Sequence, residues 1–302
     1  MRLFCLLPGR LARSVLTLLI LGLVLPVVAG APGPLHAASA SEMEGAKRKI
    51  NLAGRQRMLA QRMAMLSCMA GSGVQHDSAL TRAGAAHDLF AKSLKGLRFG
   101  DSEQGLPVET HPEVLLSLDV VDGLWTGYGA AVADYVRSDS PSTLRSIHAR
   151  NMPVLVKMND SVTLIETLYA EGTVDPEIAT ALNIAGRQRM LLMKALKEAC
   201  MVGRGYAPDA DREELHKTIS LFSSSLYKLR LGNAWDGIIA PPTFEVDMQL
   251  ELVQAIWDWM EPYLKEVAAG GEVDAERLSE LLYHGEVALT EMNVAVWLYE
   301  QV

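Results

Sequence analysis

The segment Asn51-Leu52-Ala53-Gly54-Arg55-Gln56-Arg57-Met58-Leu59 returns as Asn183-Ile184-Ala185-Gly186-Arg187-Gln188-Arg189-Met190-Leu191, 132 residues further along the chain. A Leu/Ile exchange is the only difference. The offset extends well beyond this box, pairing Cys68 with Cys200, Leu89-Phe90 with Leu221-Phe222, Gly100 with Gly232 and Trp125 with Trp257. Towards the end it drifts to 134, pairing Leu144 with Leu278 and Met158-Asn159 with Met292-Asn293. A period this long is that of a whole domain, not of a solenoid repeat. The chain must therefore solve the same folding problem twice.

Each unit shows four long stretches of apolar residues at roughly helical spacing, broken at Gly, Pro and Asp. The expected helices cover 41–70, 75–99, 112–137 and 141–171, then 176–203, 210–231, 244–269 and 274–301. Asp175-Pro176-Glu177 combines a cap acceptor, proline at the first helical position and an acid at the positive end of the helix dipole. Gly100 and Gly232 read as helix stops. Strand patterns are missing. The expected fold is all-α: two tandem antiparallel four-helix bundles, 41–172 and 173–302, forming a pseudo-dimer.

Residues 1–40 read differently. Arg2, Arg10 and Arg13 precede an apolar run from about Val15 to Ala29, and small residues lead to Ala38-Ser39-Ala40. That is the pattern of a cleaved secretory signal peptide with its cut after Ala40, the alternative being an uncleaved membrane anchor. The expected location is periplasmic. Cleavage removes three arginines and no acid, taking the net charge from −8 to −11. Nucleic acid and anionic membrane surfaces are poor partners for such a chain. In an oxidising compartment Cys68 and Cys200 either form one disulfide across a pseudo-two-fold axis or are two small buried residues inherited by duplication.

Counting at 100° per residue puts Leu52, Leu59, Met63 and Leu66 on one stripe, towards the bundle core. Gly54, Arg57 and Gln61 share another stripe, with Asn51, Arg55, Met58 and Arg62 beside it. Glycine inside a helix costs roughly 1 kcal/mol against alanine. Its return there is close approach by a neighbouring helix or a ligand. The same geometry holds for Gly186 and Arg189.

The run Ile50-Asn51-Leu52-Ala53-Gly54-Arg55-Gln56-Arg57-Met58-Leu59-Ala60-Gln61-Arg62-Met63 resembles the box of the type IV pilus methyl-accepting chemotaxis transducer N-terminal domain family. That family is related to the periplasmic sensor domains of NarX-like nitrate- and nitrite-responsive kinases. The resemblance implies antiparallel four-helix bundles, with the box on the first helix and two such helices meeting at an interface. It further implies that the arginine before the box methionine binds an anion. That arginine is Arg57 in the first copy and Arg189 in the second, with Gly54 and Gly186 lining the site. Both boxes carry Arg-Gln after the glycine, as the pilus transducers do and the nitrate sensors do not. The second copy departs after its box, where Gln61 and Arg62 become Met193 and Lys194, so a shared site is expected to be asymmetric.

An anion also follows from elementary electrostatics. The boxes start well inside their helices, so amides at a helix N-terminus cannot supply the charge. Arginine's planar fork suits an oxyanion. Two guanidinium groups about 6 Å apart repel by roughly 3 kcal/mol at an effective dielectric of about 20, and an anion between them relieves that cost. The expected ligand-binding set is Arg57, Arg189, Gly54, Gly186, Arg55, Arg187, Asn51 and Asn183. The alternative for the arginines is a solvated or salt-bridged helix face.

Met58, Met63, Met65 and Met69 read as core filler, and Trp125 and Trp257 as bundle-core anchors. Glu213 and His216 have the i, i+3 spacing of a di-iron ligand pair, but the matching stretch of the first unit has neither residue. No haem, zinc or nucleophile motif is found, so the expectation is a protein without cofactor, metal or catalysis. The expected role is that of a small-anion sensor module without its own output domain, signalling through a membrane-bound chemoreceptor or sensor kinase. The competing expectation is a ligand-independent interaction module that docks on such a receptor or on envelope machinery.

Overall fold

The computed structural model describes residues 39–171 and 173–302. Residues 39–302 belong to one compact unit built of eight helices: α1 (Ala40–Gly71), α2 (His76–Phe99), α3 (Pro112–Ser138), α4 (Pro141–Ala170), α5 (Pro176–Arg204), α6 (Pro208–Leu231), α7 (Phe244–Ala268) and α8 (Ala275–Gln301). Among the described residues there are two isolated β-bridges and no named strand.

Local chemistry sets the helix ends. Asp175 caps α5 by accepting from the amides of Glu177 and Ile178, with Pro176 at the first turn. Proline also opens α3, α4 and α6, while Thr243 and Asp274 cap α7 and α8. The last of these prolines, Pro208, starts α6 two residues before the expected position. Gly100 and Gly232 follow α2 and α6 with φ of 79° and 76°, which suits glycine. A methyl group at Gly232 would lie only 2.8 Å from the Ala240 amide nitrogen.

The start of α1 departs from the sequence reading. Ser39 and Glu42 form a reciprocal capping box, so Ser39 is the cap and Ala40 already lies in the helix. A cut after Ala40 would remove both. The rest of the expected leader lies outside the described residues. None of the described helices is long and apolar enough to cross a membrane.

Within each repeat the helices pack in a ring, α1 on α2 and α4 with α3 closing the set, and likewise α5 on α6 and α8 with α7 between them. These are the two antiparallel four-helix bundles. Leu52, Leu59, Met63 and Leu66 are buried as the stripe requires, and so are Met58, Met65 and Met69. Trp257 is buried, stacked 3.9 Å from Phe222, with its indole N–H donating to Ser223. Its counterpart Trp125 corrects the expectation of two core anchors. It is only partly buried and lies between Phe90 and His87 at the bundle edge. The differing neighbour explains this: Tyr128, buried deeper on the same helix, takes the inner position and donates to the Ala60 carbonyl.

The bundles meet through α1 and α5. Equivalent residues face one another, Gly54 against Gly186 and Cys68 against Cys200, so the two helices run parallel and in register about a pseudo-two-fold axis. Cys68 and Cys200 are joined by a disulfide, with Cα atoms 6.2 Å apart. The α1–α5 seam is thus held at its far end by a covalent bond and at its middle by a glycine pair.

Candidate functional site

Two glycines facing each other leave room for long side chains beside them. A methyl group added to Gly54 would sit 3.4 Å from Arg57 Nη2, 3.7 Å from Arg189 Nη2 and 4.0 Å from the Gly186 Cα. One added to Gly186 would sit 3.3 Å from Arg189 Nη2 and 3.8 Å from Arg57 Nη2. Both guanidinium groups therefore reach the same small region of the seam. Arg57 is 1 % exposed and Arg189 3 %.

Each arginine crosses to the other repeat. Arg57 Nη2 donates to the Asn183 side chain at 2.7 Å and to its carbonyl at 3.2 Å, and Arg57 Nη1 donates to Asn159 at 2.8 Å. Arg189 repeats the pattern with the Asn51 side chain at 2.7 Å, the Asn51 carbonyl at 3.3 Å and Asn293 at 3.2 Å. All these acceptors are neutral. Among the described residues no carboxylate lies within 4.0 Å of either group, and the buried Nε atoms of both arginines have no partner.

A buried charge held only by neutral dipoles is costly. Burial pulls Arg57 down to about 9, helped by the like charges of Arg187 and Arg189. Arg189 falls to about 10, again mainly through burial and then through Arg55. Two glutamates stand behind the asparagines. Glu166 accepts from the Asn183 amide, and Glu300 sits against Asn51 and pairs with Arg48 at 3.5 Å. Burial raises both carboxyls above the ordinary range despite the neighbouring arginines. The site is thus two related half-sites: Arg57, Asn159, Asn183 and Glu166 on one flank, Arg189, Asn293, Asn51 and Glu300 on the other.

The glycines, the arginines, Asn51 and Asn183 lie in two segments that match the sequence profile of the type IV pili methyl-accepting chemotaxis transducer N-terminal family (PilJ), residues 39–148 and 177–281. The chain belongs to that family. It carries two tandem copies of the PilJ domain, and the glycine–arginine pair sits on the first helix of each. Comparison with curated proteins gives no match.

In this PilJ pair, six of the eight residues expected at the site come together: Gly54, Gly186, Arg57, Arg189, Asn51 and Asn183. The other two stand further out. Arg55 is turned into its own bundle, donating to Ser93 and Gln104 at 2.8 Å each. Arg187 is half-buried and felt by Arg57 and Glu166 only through its charge. The box glutamines are structural clasps. Gln56 donates to the Phe90 carbonyl at 2.9 Å and Gln188 to Ser225 at 2.5 Å. Glu213 and His216 both face solvent, Glu213 paired with Lys217 at 2.7 Å.

Four site residues escaped the sequence reading in their role. Asn159 and Asn293 were visible as a repeated pair at the 134 offset, and Glu166 and Glu300 keep that same offset. Repetition at the drifted register was the available signal. Gln61 was placed on the arginine stripe but given no role. It is fully buried, one turn beyond Arg57, and neither of its amide atoms has a partner.

Proposed function

We propose that this chain is a small-oxyanion sensor module, binding a small planar anion of the nitrate or nitrite kind between Arg57 and Arg189. Gly54 and Gly186 line the site, and Asn51 and Asn183 orient the guanidinium groups. The observation that carries this reading is two buried guanidinium groups converging on one glycine-lined spot with only neutral partners. An anion there would accept charge-assisted hydrogen bonds and offset both the desolvation and the mutual repulsion. We read the protein as periplasmic, with residues 1–40 as its signal peptide. A membrane-bound chemoreceptor or sensor kinase would relay the liganded state.

The test is thermal unfolding against nitrate, nitrite, sulfate, phosphate and acetate. A ligand that binds only the folded state stabilises it by about 2.7 kcal/mol at a hundredfold excess over its Kd. A selective rise in Tm that disappears in both Arg57→Met and Arg189→Met supports the proposal. No rise with any of these anions sinks it.

One observation favours a second reading. The Nη2 atom of each arginine already bonds an asparagine of the opposite repeat while Nη1 bonds one of its own, so the pair also works as a set of struts joining the bundles. On that reading the protein is a ligand-independent interaction module, and losing either arginine weakens the seam in the absence of any anion.

A further inference from the structure

The two flanks of the arginine pair are not equivalent. On one flank a cleft of about 570 Å³ opens between α1, α2 and α8 and reaches inward to Arg189. Its charged wall holds Arg48, Arg55, Arg62, Arg82 and Arg189 against Glu286 and Glu300. That is an excess of positive charge inside a chain with a net charge of −8. Apolar side chains of the same three helices, Met58, Leu59, Leu89, Leu289 and Trp297, complete the lining. Trp297 remains 52 % exposed with nothing covering its outer side.

The pseudo-two-fold carries this cleft onto a flank with a different set of residues. Arg48 is replaced by Thr180, Arg62 by Lys194, Arg82 by Glu214, Glu286 by Met152 and Trp297 by Thr163. Lys194 is buried there and held by Glu198 at 2.6 Å, Glu214 at 3.1 Å and Thr218 at 2.8 Å. Charge on that flank is cancelled internally, while on the open flank it is left in surplus. Even the paired asparagines differ, Asn293 being exposed and Asn159 only partly so.

We propose that the open cleft admits an amphipathic organic anion, with its acid group at Arg189 and its apolar body against Leu289 and Trp297. The inference rests on the oxyanion reading of Arg57 and Arg189 and specifies one flank of that site. The volume is that of a small-molecule pocket, and the lining combines convergent arginines with apolar side chains, which suits a ligand that has both an acid group and an apolar body. The mouth already shows the recognition chemistry. Glu286 is gripped by Arg62 at 2.7 Å and by Arg82, so an internal carboxylate occupies the place where a ligand's acid would enter. Arginine forks bind carboxylates in this way with geometric specificity.

The experiment is calorimetric titration of the full chain with phenylacetate, acetate and nitrate. It is repeated on Thr290→Trp, which fills the cleft from an exposed rim position, and on Ala85→Trp, which fills it from the opposite wall. Phenylacetate binds at least tenfold more tightly than acetate, and each tryptophan variant weakens it at least tenfold while leaving nitrate binding unchanged. If phenylacetate binds no tighter than acetate, or survives both fillers unaffected, the cleft proposal is overturned. Nitrate binding that is lost in Arg189→Met would then leave the oxyanion site standing. If neither nitrate nor phenylacetate binds the unaltered chain, both readings fall together.

Discussion

Arg57 Nη2 donates to Asn183, a residue of the other repeat, and not to a carboxylate. The nearest acid on that side, Glu166, is reached only through the asparagine's amide. A buried cation arranged in this way stabilises the fold little, because the cost of desolvation is met only by neutral dipoles.

Replacing Arg57 by methionine removes that cost while keeping most of the side-chain volume. A buried ion without an ionised partner carries a desolvation penalty of several kcal/mol, which an apolar side chain of similar size does not. Asn159 and Asn183 are only partly buried and can turn to water, so the anion-free protein should melt at the same temperature or higher. Calorimetric unfolding checks it. A loss of more than about 2 kcal/mol, the cost of orphaned buried partners, would identify Arg57 as a strut instead.

Gly54→Ala separates packing from ligand binding. The added methyl group meets nothing closer than 3.4 Å, an ordinary contact, so helix propensity should stabilise the anion-free chain by about 1 kcal/mol. The same methyl group lies between the two guanidinium groups. Unfolding with and without nitrate should therefore show a higher baseline Tm and no anion-dependent rise. Retained binding would place the anion elsewhere.

The disulfide closes a loop spanning a sequence separation of 132. Cross-links over long loops restrict the unfolded chain most, and removing a native one costs about 2–5 kcal/mol. Cys68→Ala with Cys200→Ala should lower stability by that amount, measured by denaturant unfolding, while leaving helicity intact. A change under 1 kcal/mol, small beside that range, would show that the seam holds without the bond.

Acid should tighten anion binding. Glu166 and Glu300 have folded-state pKa values raised above the ordinary 4.5, chiefly by burial. The folded protein therefore takes up these protons more readily than the unfolded chain, and their ionised forms cost stability that is recovered as pH falls towards the raised values. Protonation also removes negative charge beside Arg57 and Arg189. Binding measured at pH 7.5 and pH 5.5 should be stronger at the lower value, and Glu166→Gln with Glu300→Gln should flatten the difference. A pH dependence that survives in the double variant would assign it to other groups.

Much of the fold was legible because the repeat supplied every helix twice. Caps such as Asp175-Pro176 and stops such as Gly100 are local chemistry, readable without tertiary knowledge. The register of α1 against α5 was not: the cysteines read either as one disulfide across a two-fold axis or as two buried residues, and the structure decides for the first. Nor was the second ring of the site legible. Glu166 and Glu300 lie on the fourth helix of each repeat, and only packing brings them beside asparagines on the first. Arg55 shows what helix phase does within the box: at 100° from each neighbour it is carried away from the glycine pair, into its own bundle at Ser93 and Gln104. The loss of symmetry between the flanks was visible only as scattered exchanges, such as Arg82 for Glu214, whose meaning depends on which helices enclose the cleft.

Because Cys68 and Cys200 are bonded at one end of the seam, α1 and α5 cannot slide freely past each other there; what remains is rotation about that point. Gly54 lies about 21 Å from Cys68 along the helix and Ser41 about 40 Å, at ~1.5 Å per residue. For a stiff α1, a spreading of ~1 Å at the glycines becomes ~2 Å at Ser41. The crosslink makes the first helix a lever, with its fulcrum at the cysteine, its midpoint at the glycine pair where a ligand would load it, and its longest throw at the opposite end.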